Sequence, residues 1–307
     1  MKGAPVTIGI PCFNSAQWIK AAVASALAQD WPEKDIIVVD DGSTDGSREI
    51  LQSFGDAIRV VFAEHKGSNP ARNEILRRAQ GEWIQYLDAD DYLLPEKISH
   101  QFAETEDENC DAIYSPVWIE NATTGTREMH RINPQYDIYM QWLSWQMPQT
   151  GGCLWRKAVL SRLNGWNESM PCCQEHELYL RALKEGARFA FAPTPNAVYR
   201  IWSEQTLCRR DPRQVIDVKT GLLDDLREWM QKRLLWTGRH NTVAAQAFFE
   251  MSRSLAKFDL AGAAHYHAKR KKISLIKPKG PAAPLSYRLG YWTIGFTGAE
   301  KLARILR

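Results

Sequence analysis

The chain has 307 residues, 44% hydrophobic and 24% charged, which suits one large domain or one plus an appendage and a core that closes without disulfide or metal. Its formal charge of +3 is too small to argue for nucleic acid. No run reaches the roughly 18 apolar residues of a membrane span, and the first residues lack the pattern of a signal peptide, so the expectation is a soluble or at most surface-bound protein.

In chain order, residues 6–11 form a short apolar run and residues 16–29 repeat apolar positions at helical spacing. Residues 35–40 carry Ile36, Ile37, Val38 and Val39, the pattern of a strand buried on both faces. Residues 45–54 read as a helix capped by Asp45, 58–63 as a strand, 70–79 as a helix and 83–87 as a strand. Alternation at these lengths predicts βαβ units and a mainly parallel sheet. Farther on, 112–120 and 152–156 read as strands, and 157–163 and 175–185 as helices. Residues 213–236 and 241–258 read as amphipathic helices, and a Pro/Gly-rich piece at 278–284 precedes a last amphipathic segment at 286–307.

In a parallel sheet, ligands bind beyond the carboxyl ends of the strands, so the residues after each strand matter most. The acids Asp88, Asp90 and Asp91 follow the fourth strand. Hard divalent cations take carboxylate oxygens and keep waters and substrate phosphates as other ligands. The same acids also suit a helix cap and turn before Pro95. Asp40 and Asp41, ahead of Gly42, could accept hydrogen bonds from a nucleobase or ribose, or simply build a turn. Arg72 could pair with base or phosphate, or be a solvated surface group.

These segments carry a resemblance. Residues 11–14 (with Pro11 and Asn14), 39–45, the loop 67–73 and the run 81–91 occur in the order and spacing of family 2 glycosyltransferases. Residues 150–156, 165–169 and 174–181 are similar to that family's central segment and to the start of its acidic catalytic helix, so the resemblance covers roughly 5–205. It implies a GT-A-type α/β fold, Rossmann-like, over residues 1–208, with a helical, basic region at 209–307, and an inverting transfer. It also implies that Asp40 and Asp41 hold base and ribose, helped by Pro11, Asn14, Arg72 and Ala89. Asp88 would face the ribose side, and Asp90, with Asp88, would hold a divalent cation, Mn²⁺ or Mg²⁺. Glu175 matches the base that takes the proton from the acceptor hydroxyl. If Glu175 and Glu177 share a helix they point to different sides. The chain departs from the family at Gln174, where an acid is frequent, and at Trp202, where many members have a histidine. Waters could complete the metal shell, and His65 and His176 are other candidates.

The expected donor is a UDP-sugar, with dTDP- and GDP-sugars open, and the expected acceptor is a glycan or lipid-linked glycan in surface polysaccharide assembly. Two rivals stand beside this reading: a nucleotidyltransferase using the same crevice, and a non-catalytic relative that only binds nucleotide. Trp142, Trp145, Trp155 and Trp166 fall in the acceptor half and either stack on sugar or pack the core. Between 269 and 307, Lys and Arg outnumber the single acid Glu300 ten to one. That tail reads either as a peripheral contact with an anionic membrane face or as helices docked on protein. Six cysteines without a CxxC pair read as reduced thiols of a cytoplasmic protein rather than a zinc site.

Overall fold

A computed structural model describes residues 3–105, 107–203 and 211–305. The domain boundary expected at Cys208 and the tail residues Leu306 and Arg307 lie outside the described residues. The chain divides into two compact units, Met1–Ile132 with Met147–Ser203, and Asn133–Gln146 with Glu204–Arg307. Residues 133–146, which the sequence placed in the first domain, therefore belong with the C-terminal helices.

The first unit is built on a seven-stranded sheet. β1 (Val6–Cys12) is buried along its whole length, which its apolar sequence allows because both faces are covered. It pairs in parallel with β2 (Lys34–Asp40), which pairs with β3 (Arg59–Phe62). α1 (Ile19–Leu27) and α2 (Ser47–Gln52) make the crossovers. α1 buries Ile19, Ala22, Val23 and Ala26, the i, i+3, i+4, i+7 stripe of a helix laid on a sheet. After α3 (Ser68–Arg78) the chain returns to the other side of β1 as β4 (Trp83–Tyr86). The strand order therefore reverses between β1 and β4. That reversal opens a crevice at the carboxyl ends of both strands, where the polar segments foreseen from sequence converge.

Beyond β4 the sheet continues through β9 (Cys153–Arg156), β6 (Ala112–Tyr114) and β10 (Phe189–Phe191). β9 runs antiparallel to both of its neighbours, and the other four pairings are parallel. The single strand expected over 112–120 is two. Ser115 N still donates to Gly152 O, at 2.9 Å, and the chain then leaves for a second sheet. That sheet has the order β5 (Tyr92–Leu93), β11 (Ala197–Ile201), β7 (Trp118–Asn121) and β8 (Arg127–Met129). Three further helices complete the unit: α4 (Lys97–Glu104), α6 (Lys157–Arg162) and α7 (Gln174–Lys184), with α5 (Ile138–Leu143) lying in the second unit.

The rest of the second unit is α8 (Pro212–Lys232), α9 (Gly238–Ala256), α10 (Leu260–Lys272) and α11 (Leu285–Ile305). α9 starts at a reciprocal cap between Thr237 and His240 and buries Phe248, Phe249 and Leu255. Trp142 is fully buried here, and Trp145 lies beneath the Lys219 ammonium, so neither joins Trp155 and Trp166. Among the described residues no helix is long and apolar enough to cross a membrane.

Candidate active site

The loops after β1, β2 and β3 are tied together by side chains. Asn14 adopts the left-handed conformation (φ 46°), which asparagine tolerates better than most residues, and its Oδ1 accepts from Thr44 N at 2.8 Å. Asp41 is buried, and its carboxylate accepts from Lys66 N, Gly67 N and His65 Nδ1, each at 2.8 Å. The loop comes so close that a Cβ on Gly42 (φ +77°) would stand 2.8 Å from His65 N. Asp40 is fully buried and accepts from Arg48 Nε at 2.8 Å. Asp45, foreseen as the cap of α2, accepts from Ser47 N and from Ala16 N, so it joins two loops while Gly46 takes the cap position. Phe13, half exposed, stacks on His65 with ring centroids 4.0 Å apart. Sequence reasoning gave no role to this aromatic pair, although an aromatic beside Asn14 at a strand end was a usable signal.

Arg72 is the hub of the site. It emerges from the buried side of α3, and its Nη2 donates to Asp88 Oδ1 at 2.7 Å. Its Nη1 donates to Gln174 Oε1 at 2.8 Å and Asn69 Oδ1 at 3.0 Å, and its guanidinium lies 4.6 Å from the Trp166 ring centre. Burial works against its charge. The carboxylates of Asp88 and then Glu175 more than offset that and hold the guanidinium above its ordinary value. The same helix anchors the segment 165–169: Asn73 accepts from Trp166 N at 2.7 Å, and Asn69 donates to Asn167 O at 2.7 Å. A Cβ on Gly165 (φ +70°) would sit 2.3 Å from Asn73 Oδ1, so this contact requires the glycine.

The acids after β4 are crowded. Asp88 is the partner of Arg72, while Asp91 is buried and accepts from Arg200 N at 2.8 Å. Asp90 Oδ2 accepts from the Trp202 indole N–H at 2.7 Å. Burial, then the charge of Asp88, pushes the Asp90 carboxyl above the usual range. Burial, then Asp90 and Asp88, raises Asp91 well above it. Excess negative charge on hard oxygen donors is what a divalent cation relieves, so these residues fit such an ion. Among the described residues no three His, Cys, Asp or Glu side chains are placed to hold a metal by themselves. Diphosphate and water would have to supply its remaining ligands. His65 is engaged by Asp41, and His176 is buried on α7.

α7 begins beside Arg72. Its first turn carries Glu175, whose Oε1 accepts from Thr150 Oγ1 at 2.6 Å. Glu175 and Thr150 line a narrow crevice with Tyr86, Trp155, Trp166 and Tyr179, and all four aromatics are buried, so Trp155 and Trp166 pack the core rather than present a face to sugar. Glu177 turns away, accepting from Arg181 Nε at 2.7 Å, so of the two glutamates only Glu175 lines the crevice. Thr150 belongs to the one-turn helix Thr150–Gly152, which a buried polar network supports. Gln85 Nε2 donates to Gly151 O and Gln101 Nε2 to Gly152 O, each at 3.1 Å. The Oε1 atoms of both glutamines accept from Lys97 Nζ.

The fold and the strand-end acids can be set beside known proteins. The sequence profile of glycosyl transferase family 2 matches residues 7–162, half of the chain and the stretch that carries Asp40, Asp41, Arg72 and Asp88–Asp91. The chain belongs to that family. Among curated members, it is 38% identical over 118 residues to the Escherichia coli UDP-Glc:alpha-D-GlcNAc-diphosphoundecaprenol beta-1,3-glucosyltransferase WfaP, 38% of this chain and 47% of that one. The matches to it and to four other curated relatives each span less than half of the relative's length. S. aureus TarS 1–349, solved with UDP-GlcNAc, superposes with a TM-score of 0.65 over 99% of this chain and 92% of that one, at 15% identity. A Pyrobaculum calidifontis mannosyltransferase, PcManGT, solved with GDP-Man and Mn²⁺, gives 0.54 over 98% and 86% at 17% identity. At such identities the likeness establishes the fold, and that fold is GT-A.

Proposed function

We propose that this family 2 glycosyltransferase is an inverting, metal-dependent hexosyltransferase acting in surface polysaccharide assembly. Its donor is a nucleoside-diphosphate sugar, UDP-linked in the first instance. Its acceptor is a hydroxyl of a glycan or lipid-linked glycan, as the name of WfaP describes for that relative. The basic C-terminal region adds a peripheral contact with the inner membrane face.

The observation that carries the reading is the position of Arg72, which bonds Asp88 on the donor side and Gln174, the neighbour of Glu175, on the other. The nucleotide lies over the ends of β1, β2 and β4, where Asp40 and Asp41 with Pro11, Asn14 and Ala89 shape the pocket for base and ribose. A divalent cation held by Asp90 and Asp88 would offset the charge of the leaving diphosphate. Glu175 takes the acceptor proton as that oxygen attacks the anomeric carbon from the face opposite the leaving group. One base suffices, because direct displacement forms no covalent sugar–enzyme intermediate. Thr150 fixes one Glu175 oxygen and leaves the other for the acceptor.

The test is calorimetric titration of UDP, GDP and dTDP with and without Mn²⁺, followed by transfer assays with the nucleotide that binds. Asp90→Asn is expected to abolish the metal-dependent part of binding. Glu175→Gln is expected to lower turnover about 10²–10⁴-fold with donor affinity kept. Unchanged turnover in Glu175→Gln would remove Glu175 as the base, and no binding of any nucleotide would remove the donor site.

A further inference from the structure

The second unit ends in a helix with one face left to solvent. α11 is broken at Gly295 (φ 71°, ψ 179°). Before the break it turns Tyr287 and Tyr291 inward against Phe249, with ring centroids 5.9 Å away in both cases. Tyr287 lies 3.8 Å beneath the Arg253 guanidinium, and the Tyr291 hydroxyl meets His267 Nε2 at 3.0 Å. At about 100° per residue, Leu285, Leu289 and Trp292 stand on the opposite side of this segment. They are 65%, 62% and 73% exposed. Three large apolar side chains at i, i+4 and i+7, all facing water, are not isolated surface residues but a stripe, and such stripes mark contact surfaces.

The segment that carries the stripe is one-sided in charge. From residue 257 to 305 the only acids are Asp259 and Glu300. Both are used inside the fold, Asp259 by Arg213 and Glu300 by Arg253. Lys269, Lys271, Lys272, Lys279 and Lys301 stay exposed. An exposed apolar stripe with a Trp, on a segment rich in exposed cations whose two acids are both paired, matches a surface that is apolar below and anionic above. A second copy of this chain would bring the same cations face to face. A nucleic-acid backbone would pair the lysines but leave the leucines nothing to bury against.

We infer that this face of α11 docks on an anionic lipid surface, with Leu285, Leu289 and Trp292 entering the boundary between headgroups and acyl chains while the lysines meet anionic headgroups. The inference deepens the membrane contact proposed above by naming the residues that make it. Its test needs no donor, cation or acceptor, so its failure leaves the transferase reading standing, and the reverse also holds.

The full chain would be co-sedimented with vesicles of phosphatidylcholine alone and of phosphatidylcholine mixed with phosphatidylglycerol. Partitioning is expected to be at least about tenfold stronger on the anionic vesicles and to fall with added salt. Leu285→Ser/Leu289→Ser/Trp292→Ser, which changes only exposed positions, is expected to lose about tenfold or more. Lys269→Gln/Lys271→Gln/Lys272→Gln is expected to lose a comparable factor and most of the salt dependence. Equal binding to both vesicle types, no binding to either, or an unaffected serine variant would overturn the inference. So would a lipid-free dimer, seen by light scattering, that the serine variant dissociates, because the stripe would then be an interface between copies.

Discussion

Lys97 is buried at the start of α4, and its ammonium donates to the Oε1 atoms of Gln85 and Gln101. Burial brings it down from 10.5 to about 7. Unfolded, this lysine holds its proton up to about pH 10; folded, it gives it up from about pH 7. Between those limits the unfolded chain binds more protons, so stability rises with pH. Below about pH 6 both states are protonated and the penalty is constant. At about 1.4 kcal/mol for each tenfold in proton affinity, the ceiling is about 5 kcal/mol, of which about 2 kcal/mol is relieved between pH 7 and pH 9. The glutamine acceptors favour the charged form, so the measured gain should fall at or below these figures. Lys97→Met removes the titration but leaves two buried amide oxygens without a donor, at about 1–3 kcal/mol each. The variant should therefore lie near wild type at pH 7 and become less stable than wild type as pH rises. Urea unfolding of both proteins from pH 6 to 9 measures this. Cys12 and Cys110, whose thiols burial pushes up to about 11, also titrate late, but they are common to both proteins and cancel in the difference. A difference that is flat from pH 7 to 9 would refute the reasoning.

Two further outcomes follow from the same geometry. Thr150→Val removes the hydroxyl that holds Glu175 Oε1 at 2.6 Å, and kcat should fall about tenfold with the donor KM unchanged; a change in KM alone would place Thr150 on the donor instead. Arg72→Lys leaves one ammonium where a fork bonded Asp88 and Gln174 together, so donor affinity by calorimetry should fall about tenfold and stability by about 2–3 kcal/mol, the partial exposure of Asp88 keeping the loss below that of a fully buried pair.

The strand-end cluster proposed as the donor side was legible as a cluster because it lies in the most regular part of the chain. Short apolar strands with polar ends announce a parallel sheet, and the order β4–β1–β2 brings Asp88, Asn14 and Asp41 to one edge. The surroundings of Glu175, proposed as the acceptor side, were singled out only through motif resemblance, because their geometry depends on long-range contacts with no local periodicity. β9 runs against its neighbours, and the stretch 112–120 switches sheets after one hydrogen bond to Gly152. α4 was missed because Lys97 and Gln101 look like surface residues in sequence, yet both are buried in the network under Thr150. α10 was missed because a glycine near its start and four cations at its end blur its apolar stripe. Nor could the sequence foresee that the Trp202 indole would bond Asp90, since they stand 112 positions apart.

Gln174, the departure from the family's acid, gains a physical sense from Arg72. The guanidinium has two fork nitrogens to satisfy, and both are buried. An acid at 174 would satisfy one of them but would compete with Asp88 for the same positive charge. It would also place a second carboxylate directly beside Glu175. The glutamine accepts the hydrogen bond and takes no charge, so the cation stays available to Asp88 and, at longer range, to Glu175. The donor-side acid and the proposed base thus share one buried charge. A divalent cation at the Asp88–Asp91 cluster, were it bound as proposed, would compete with Arg72 for the charge of Asp88.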